Sequence, residues 1–343
     1  MGGDNAPAAP VGAAIIAASE GHRILLVGDE ERIAAELAHQ GASGAAAIEV
    51  VHAPARVSAH DDGARAVRAK PESSIAVTCR LVGQGRAAAA VSAGNTGAML
   101  AAATLYMRRV RGVMRPAIAV VIPGAGGKPV VMLDAGASAD ARPEHYPQLA
   151  MMGRIFARDV LGIAAPQVGL LSIGEEEGKG SGTVQAAFEL LRGSPGFVGN
   201  VEGRDIPAAA IDVVVTDGFA GNVVLKTMEG LADVLMREVR AAVVDTLPGR
   251  VGGLLVRPSL RRFRDRIDPE AYGGPPRRPG SGHHRTRKLD GEGHCERGEG
   301  CRTRRPGTTC GPFCGRIGRR GRRKVSGRVG FPRFPARMCV RMC

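Results

Sequence analysis

Two loops in this chain set glycines and polar side chains at the start of a helix. The first is Asp217-Gly-Phe-Ala-Gly-Asn222, with Lys226 four residues further on. Asp217, Gly218 and Gly221 turn the chain, and Asn222 reads as the N-cap of a helix over 223–236. Backbone N–H groups at a helix start lack intrahelical acceptors and favour an anion. Lys226 falls on the same helix face as Asn222, so the pattern predicts a buried lysine aimed at a ring of amide hydrogens, a phosphate site. The second loop is Ser92-Ala-Gly-Asn-Thr-Gly97. Here Asn95 and Thr96 offer side-chain donors at the start of a helix over 97–109. Either loop also suits plain packing, because glycine-bearing junctions recur throughout α/β proteins. Two of them, each with Asn at the helix entrance, favour a shared anion site.

Other residues invite weaker readings. Asp134 stands at the tip of a strand. His145, in Arg142-Pro-Glu-His145, is either a general acid or base or a maker of one structural hydrogen bond. Glu175-Glu-Glu177 with Lys179 places three carboxylates in a row. Such a run is solvated or caps the next helix more often than it binds metal, and no His or Asp stands at ligand spacing beside it. No metal is expected.

These residues need elements to position them. Ile24–Val27, Ile48–Val51, Ala87–Val91, Gln167–Ile173, Phe197–Val201 and Ile211–Val215 read as short apolar strands. Pro116–Ile122 and Val130–Leu133 read as an edge hairpin. Helices are expected over 8–20, 30–39, 73–85 and 143–158, with loop and helix between His52 and Lys70. Strands and helices of these lengths alternate, which predicts a parallel sheet covered on both faces. In such sheets ligands bind beyond the carboxyl ends of the strands, where both glycine loops lie. Residues 231–267 suggest two helices around Pro248-Gly249. Leu254, Leu255 and Val256 form an apolar tip beside Arg257, Arg261, Arg262 and Arg264, suited to an anionic membrane surface or to a subunit interface.

Charge divides the chain in two. Residues 273–343 hold 19 Lys or Arg against 4 Asp or Glu, and residues 1–272 hold 28 against 29. The net charge of +14 therefore belongs to the tail, and the body does not read as a polyanion binder. Cys79 is the one cysteine of the body and six lie in the tail, which fits a reducing cytoplasm rather than a disulfide framework. No secretory signal is evident, and no run of 18 apolar residues.

Taken in order, Met1-Gly-Gly-Asp, Leu26-Val-Gly-Asp29, Ser92-Ala-Gly-Asn-Thr-Gly97, Arg142-Pro-Glu-His145, Ile173-Gly-Glu-Glu176, Gly199-Asn-Val-Glu-Gly-Arg-Asp205, Asp217-Gly-Phe-Ala-Gly-Asn222 and Tyr272-Gly-Gly274 resemble the bacterial phosphate acyltransferase (PlsX) family of phospholipid synthesis. The resemblance covers residues 1–274. It implies a three-layer α/β/α fold with a mostly parallel doubly wound sheet, like phosphate acetyltransferases and isopropylmalate dehydrogenases. It implies transfer of a fatty acyl group from acyl carrier protein to inorganic phosphate, giving acyl phosphate, without a cofactor. It further implies a cytoplasmic homodimer in loose contact with the inner face of the cell membrane or with a membrane glycerol-3-phosphate acyltransferase. Phosphate is itself a nucleophile, so no Ser–His–Asp device is needed; donors must hold it and stabilise the oxyanion formed on attack. On that chemistry Asn95, Thr96, Asn222 and Lys226 hold phosphate or oxyanion and Lys179 assists. Ser92, Gly94, Gly97, Gly218 and Gly221 are expected to bind phosphate or substrate with them, as are Asp134 and Asp217, which with His145 orient the donors. The rival readings are a nucleotide-dependent dehydrogenase of similar fold, disfavoured by the lack of Gly-x-Gly-x-x-Gly after the first visible strand, and a non-catalytic basic binding protein.

The chain departs from the family pattern at both ends. The family carries a short strand ending Asp-Ala-Met before Gly-Gly-Asp; here Met1 stands at that Met, so the first, central strand is expected to be missing, as a start codon placed too late would produce. After Gly274 the family continues with an apolar strand, Ala-His-Gly-Ser and a last helix. Residues 275–343 instead form a basic, Cys-rich, aperiodic tail expected to be disordered. A frameshift accounts for it: shifted by one base, GC-rich codons for His283 through Cys301 can spell Ala-His-Gly-Ser and an alanine-rich helix. The alternative is a genuine nucleic-acid-binding arm, and zinc on Cys295, Cys301, Cys310 and Cys314 fits no standard spacing.

Overall fold

The structure is a computed structural model that describes residues 2–3, 5–245, 252–253, 255–259 and 261–263, with the backbone of 340–342. Two strands open it. β1 (Ile24–Gly28) and β2 (Ile48–His52) pair in parallel and in register. Period two along β1 sends Leu26 toward α1 (Ala8–Ser19) and α2 (Glu30–His39), where it joins Val11, Ile33 and Leu37. Leu25 and Val27 face the other way, onto Val77 and Leu81 of α4 (Ser74–Gly83). Both faces are covered, which is why the strand is a continuous apolar run. Asp29 caps α2, its carboxylate accepting from Arg32 N at 3.1 Å.

β3 (Ala90–Ser92) leads into α5 (Thr96–Ala102). The expected helix over 97–109 is shorter: α5 passes into a π-turn, Ala103–Met107, closed by Arg108 at φ 65°. α5 packs with α3 (Gly63–Ala69) and α4 around Val67, Cys79 and Met99. Burial pushes the Cys79 thiol up to about 12.

The larger sheet has five strands in the order β4 (Val120–Pro123), β5 (Pro129–Leu133), β8 (Val213–Val215), β6 (Val168–Leu171), β7 (Phe197–Val201). β4 and β5 form the expected edge hairpin and are antiparallel; the other pairings are parallel. α6 (Tyr146–Asp159) and α7 (Gly182–Leu191) cover one face, closing a core of Val131, Leu133, Leu149, Leu170, Phe188 and Val213. Met132 and Val214 face the opposite side, with Leu225 and Met228 of α9 (Gly218–Val244) and Ile206 of the short α8 (Asp205–Ala208). Each fully buried Val or Leu contributes about 1.5–3 kcal/mol.

The architecture is a mostly parallel α/β fold with helices on both faces. Its strand hydrogen bonds fall into three ladders among the described residues: β1 with β2, β3 with β9 (Val340–Met342), and the five-stranded sheet. Of the tail, only that last strand is described. Cys295, Cys301, Cys310 and Cys314, the segment His283 through Cys301 read as a frameshift, Met1, Asp4, Leu254, Arg264 and Tyr272 lie outside the described residues. Residues 252–253, 255–259 and 261–263 are helical, on the second helix expected after Pro248.

Candidate functional site

The carboxyl ends of β5 and β8 meet at the start of α9. Asp134, one residue past β5, is 2% exposed. Its Oδ1 accepts from Ile118 N (3.0 Å), Gly136 N (3.2 Å) and Ala137 N (2.9 Å), and its Oδ2 from Ser138 N (2.8 Å). Four amides around one carboxylate make strong charge-assisted bonds. They fold residues 134–138 into a tight loop and also consume its amide hydrogens. Asp134 thus occupies the nest that the loop would otherwise offer to an external anion.

That loop seats α9. Gly218 N donates to Ser138 O at 2.8 Å. A Cβ at Gly218 would stand 2.7 Å from Ser138 O and 2.8 Å from Asp134 Oδ2, and one at Gly221 would overlap the Asp134 carbonyl oxygen. Only glycine lets the helix start approach so closely. The helix begins at Gly218, not at Val223: Asp217 is the N-cap, its Oδ1 accepting from Ala220 N at 2.8 Å. Both Asp217 and Asn222 suit a cap by residue type; the glycines belong to close packing rather than to a loop. Asn222 therefore lies within the second turn, exposed, beside Gly136. Of the first amides of α9, those of Gly218, Ala220 and Gly221 are engaged by Ser138 O, Asp217 Oδ1 and Asp217 O, leaving that of Phe219.

Lys226 corrects a second expectation. It is not buried against the loop: its side chain is 66% exposed and its Nζ lies 2.7 Å from Glu229 Oε2. With α9 starting at Gly218, Lys226 sits eight residues in, about 12 Å up the axis. Lys179 is also exposed, on the turn after β6, where its N–H donates to Glu176 O at 3.0 Å. The carboxylates beside it have separate partners: Glu175 lies 3.6 Å from Arg204 and Glu177 2.8 Å from Arg192.

His145 does reach the site. It ends the 3-10 turn Pro143–His145, with its Nδ1 accepting from Arg142 N at 3.1 Å. That bond places the proton of the neutral ring on Nε2. Burial first, then the positive charge of Arg115, lowers its pKa from the ordinary 6.5. With Arg115, Asp134, Ser138 and Gln148 it lines a slot of about 10 Å³. Next along the chain, Tyr146 is buried and bonds the Asp217 backbone; burial is the main cause that pushes its hydroxyl up to about 12. Arg115, Ser138 and Tyr146 escaped the sequence reading. The signal was adjacency alone: Tyr146 follows His145 and Arg115 precedes the Pro116 strand.

The α5 entrance is built differently. Ser92 Oγ accepts from Gly94 N at 3.2 Å. Asn95 caps α5, its Oδ1 accepting from Ala98 N at 2.9 Å, while its Nδ2 donates to the carbonyls of Ser58, Ala59 and Asp61 at 3.0–3.3 Å. Its side chain is a tie between α5 and the 58–61 loop and has no donor left for phosphate. Thr96 and Gly97 are exposed in the first turn. Among the described residues no hydrogen bond or ion pair joins this entrance to that of α9, so the structure gathers Asp134, His145, Asp217, Gly218, Gly221 and Asn222, and leaves Ser92, Gly94, Asn95, Thr96 and Gly97 as a second group.

Comparison with known proteins adds a lineage. A family model described as "Fatty acid synthesis protein" matches residues 1–277. A phosphate acyltransferase of Thermus thermophilus is 48% identical over 278 residues, 80% of this chain and 83% of that protein. The phosphate acyltransferase of Anaeromyxobacter sp. (strain K) is 47% identical over 277 residues, 80% of this chain and 76% of that protein. A solved phosphotransacetylase from Streptococcus pyogenes overlays with a TM-score of 0.47 at 16% identity, covering 65% of this chain and 78% of its own. Matched over residues 1–277 by that family model, and 47–48% identical to these relatives over four fifths of its length, this chain belongs to the fatty acid synthesis protein family.

Proposed function

We propose that this protein is a phosphate acyltransferase that moves a fatty acyl group from acyl carrier protein to inorganic phosphate, a step of phospholipid synthesis. A phosphate oxygen attacks the thioester carbonyl; the C–O bond forms, the C–S bond breaks, and the carrier thiolate takes a proton. The observation that carries this reading is the 48% identity to a phosphate acyltransferase over most of both chains. The α9 entrance supports it: the free Phe219 amide, the helix dipole and the Asn222 amide can face an anion or the oxyanion formed from the carbonyl. Neutral His145 can donate from Nε2. Lys226 and Lys179, exposed and away from the helix start, act on the approach of the anionic substrates. Thr96, Ser92 and the glycines Gly94 and Gly97 shape the second entrance, which serves the acyl donor.

Residues 1–274 form the enzyme body and 275–343 an appended tail, a division supported by the family match ending at residue 277. The protein works in the cytoplasm as a homodimer. Support comes from α9, which exposes Leu231, Val234, Leu235 and Val239 on one side, spaced for a helix seam. Peripheral membrane contact rests on exposed Leu255 and Val256 beside Arg257; no helix among the described residues is long and apolar enough to cross a bilayer. The test is incubation of the full chain with palmitoyl-acyl carrier protein with and without phosphate. Thioester loss and acyl phosphate gain that both require phosphate are expected; a chain that consumes no thioester under any phosphate concentration sinks the proposal.

A further inference from the structure

A phosphate site needs a cation, and the lysines singled out by the sequence do not provide one at the α9 entrance. Lys226 is held by Glu229 and lies up the helix. Lys179 stands on the turn after β6, at a different strand tip. The loop amides are already taken by the Asp134 carboxylate. Arg115 is different. It makes no ion pair among the described residues, and its side chain is exposed. Its guanidinium reaches the site loop, with Nη1 3.4 Å from Ser138 Oγ. Ser138 in turn accepts from Gly218 N through its carbonyl, so Arg115 stands one residue away from the start of α9. The nearest buried carboxylate, that of Asp134, is occupied by four amides and leaves the guanidinium charge without a partner. Beneath Arg115 lies the slot lined by Asp134, Ser138, His145 and Gln148, in which the Asp134 oxygens are already engaged by amides; its volume is about 10 Å³. That is room for one water-sized group, too little for a phosphate tetrahedron but enough for one of its oxygens.

We infer that Arg115 is the cationic ligand of the inorganic phosphate: one phosphate oxygen enters the slot beside His145 and Ser138, and two others meet the guanidinium fork at its mouth. This rests on the phosphate acyltransferase reading above and adds to it a binding residue. A planar fork of N–H donors matches a tetrahedral oxyanion in two parallel bonds, which an ammonium does not. The phosphate oxygen left outside both the slot and the fork is the one that attacks the thioester carbonyl.

The test is steady-state kinetics on the full chain with phosphate and acyl carrier protein thioester varied separately, with titration calorimetry of inorganic phosphate alone. Arg115→Gln is expected to raise the KM for phosphate and its Kd on the order of 10- to 100-fold, the scale of a lost charge-assisted pair, with the KM for thioester unchanged. Arg115→Lys recovers part of the loss, and Arg86→Gln, a surface control, changes nothing. A phosphate KM and Kd for Arg115→Gln within twofold of the wild type overturns the assignment while leaving the acyltransferase reading in place. Wild-type protein that binds phosphate without turning over thioester removes the reading and keeps the site. Equal rises in both KM values, with the melting temperature lowered, also overturn the assignment, since they mark a structural role.

Discussion

At the scale of single residues, the site is governed by who already holds whom. His145 shows this best. Burial and the nearby Arg115 charge lower its pKa from 6.5, so the folded protein binds fewer protons there than the unfolded chain does just below that value. Stability contributed by this group is full above 6.5 and declines as pH falls through that value toward the lowered folded one. Removing the second of those causes should reverse part of the shift: in Arg115→Gln the His145 resonance, followed by NMR against pH, is expected to titrate higher than in the wild type. An unchanged or lower midpoint would mean that Arg115 does not face the ring. Residue type made Asp134, Asp217 and His145 visible in the sequence, since acids and histidine at strand tips and helix starts are few. It could not reveal that Asn95 gives both its amide hydrogens to the 58–61 loop, because those partners lie 34 or more residues away. Nor could it show Arg115, whose proposed role depends on the Asp134 carboxylate being taken up by four amides rather than on any neighbour in sequence.

At the scale of elements, the start of α9 decides the geometry. The sequence offers two good caps five residues apart, and local rules do not choose between them. The choice is made by tertiary contact, because α9 must press against the Asp134 loop, and the glycines at 218 and 221 make that possible from inside the helix. Once the helix begins five residues earlier, every later residue shifts by one turn and more, and Lys226 moves from the site to solvent. Gly221→Ala is expected to cost about 1–3 kcal/mol or more, the range for overpacking with no flexible neighbour to yield, read as a lower urea midpoint, and to abolish turnover even where the protein remains folded. A substitution within 0.5 kcal/mol of wild type would show that the two backbones are further apart than described. Most strands were legible to within a residue or two, β1, β2 and β7 above all, because short β-branched runs between glycines have few other readings. The π-turn after α5 was not: nothing in Ala103–Met107 departs from ordinary helical composition.

At the scale of the molecule, alternating strands and helices announced an α/β fold, and the charge split announced a neutral body with a basic tail. The alternation could not reveal how the ladders sit together, since no hydrogen bond joins β1 and β2 to the five-stranded sheet among the described residues. α9 carries the exposed Leu231, Val234, Leu235 and Val239, the seam proposed for a second copy. Its 27 residues span about 40 Å, and beyond the first turns they bury little of their own chain. Leu231→Glu combined with Leu235→Glu should convert the protein to a monomer by light scattering at micromolar concentration, where the wild type is expected to be a dimer; a dimeric double variant would place the interface elsewhere. The same rod begins at the proposed phosphate site and carries Leu231 and Leu235, the seam proposed for a second copy, in its middle turns. If a neighbour seated on that stripe alters phosphate affinity at the root, thermodynamic reciprocity makes phosphate alter self-association by the same factor. Phosphate titrations at two protein concentrations read that factor directly, and one Kd at both concentrations would show that the root and the middle of the rod act independently.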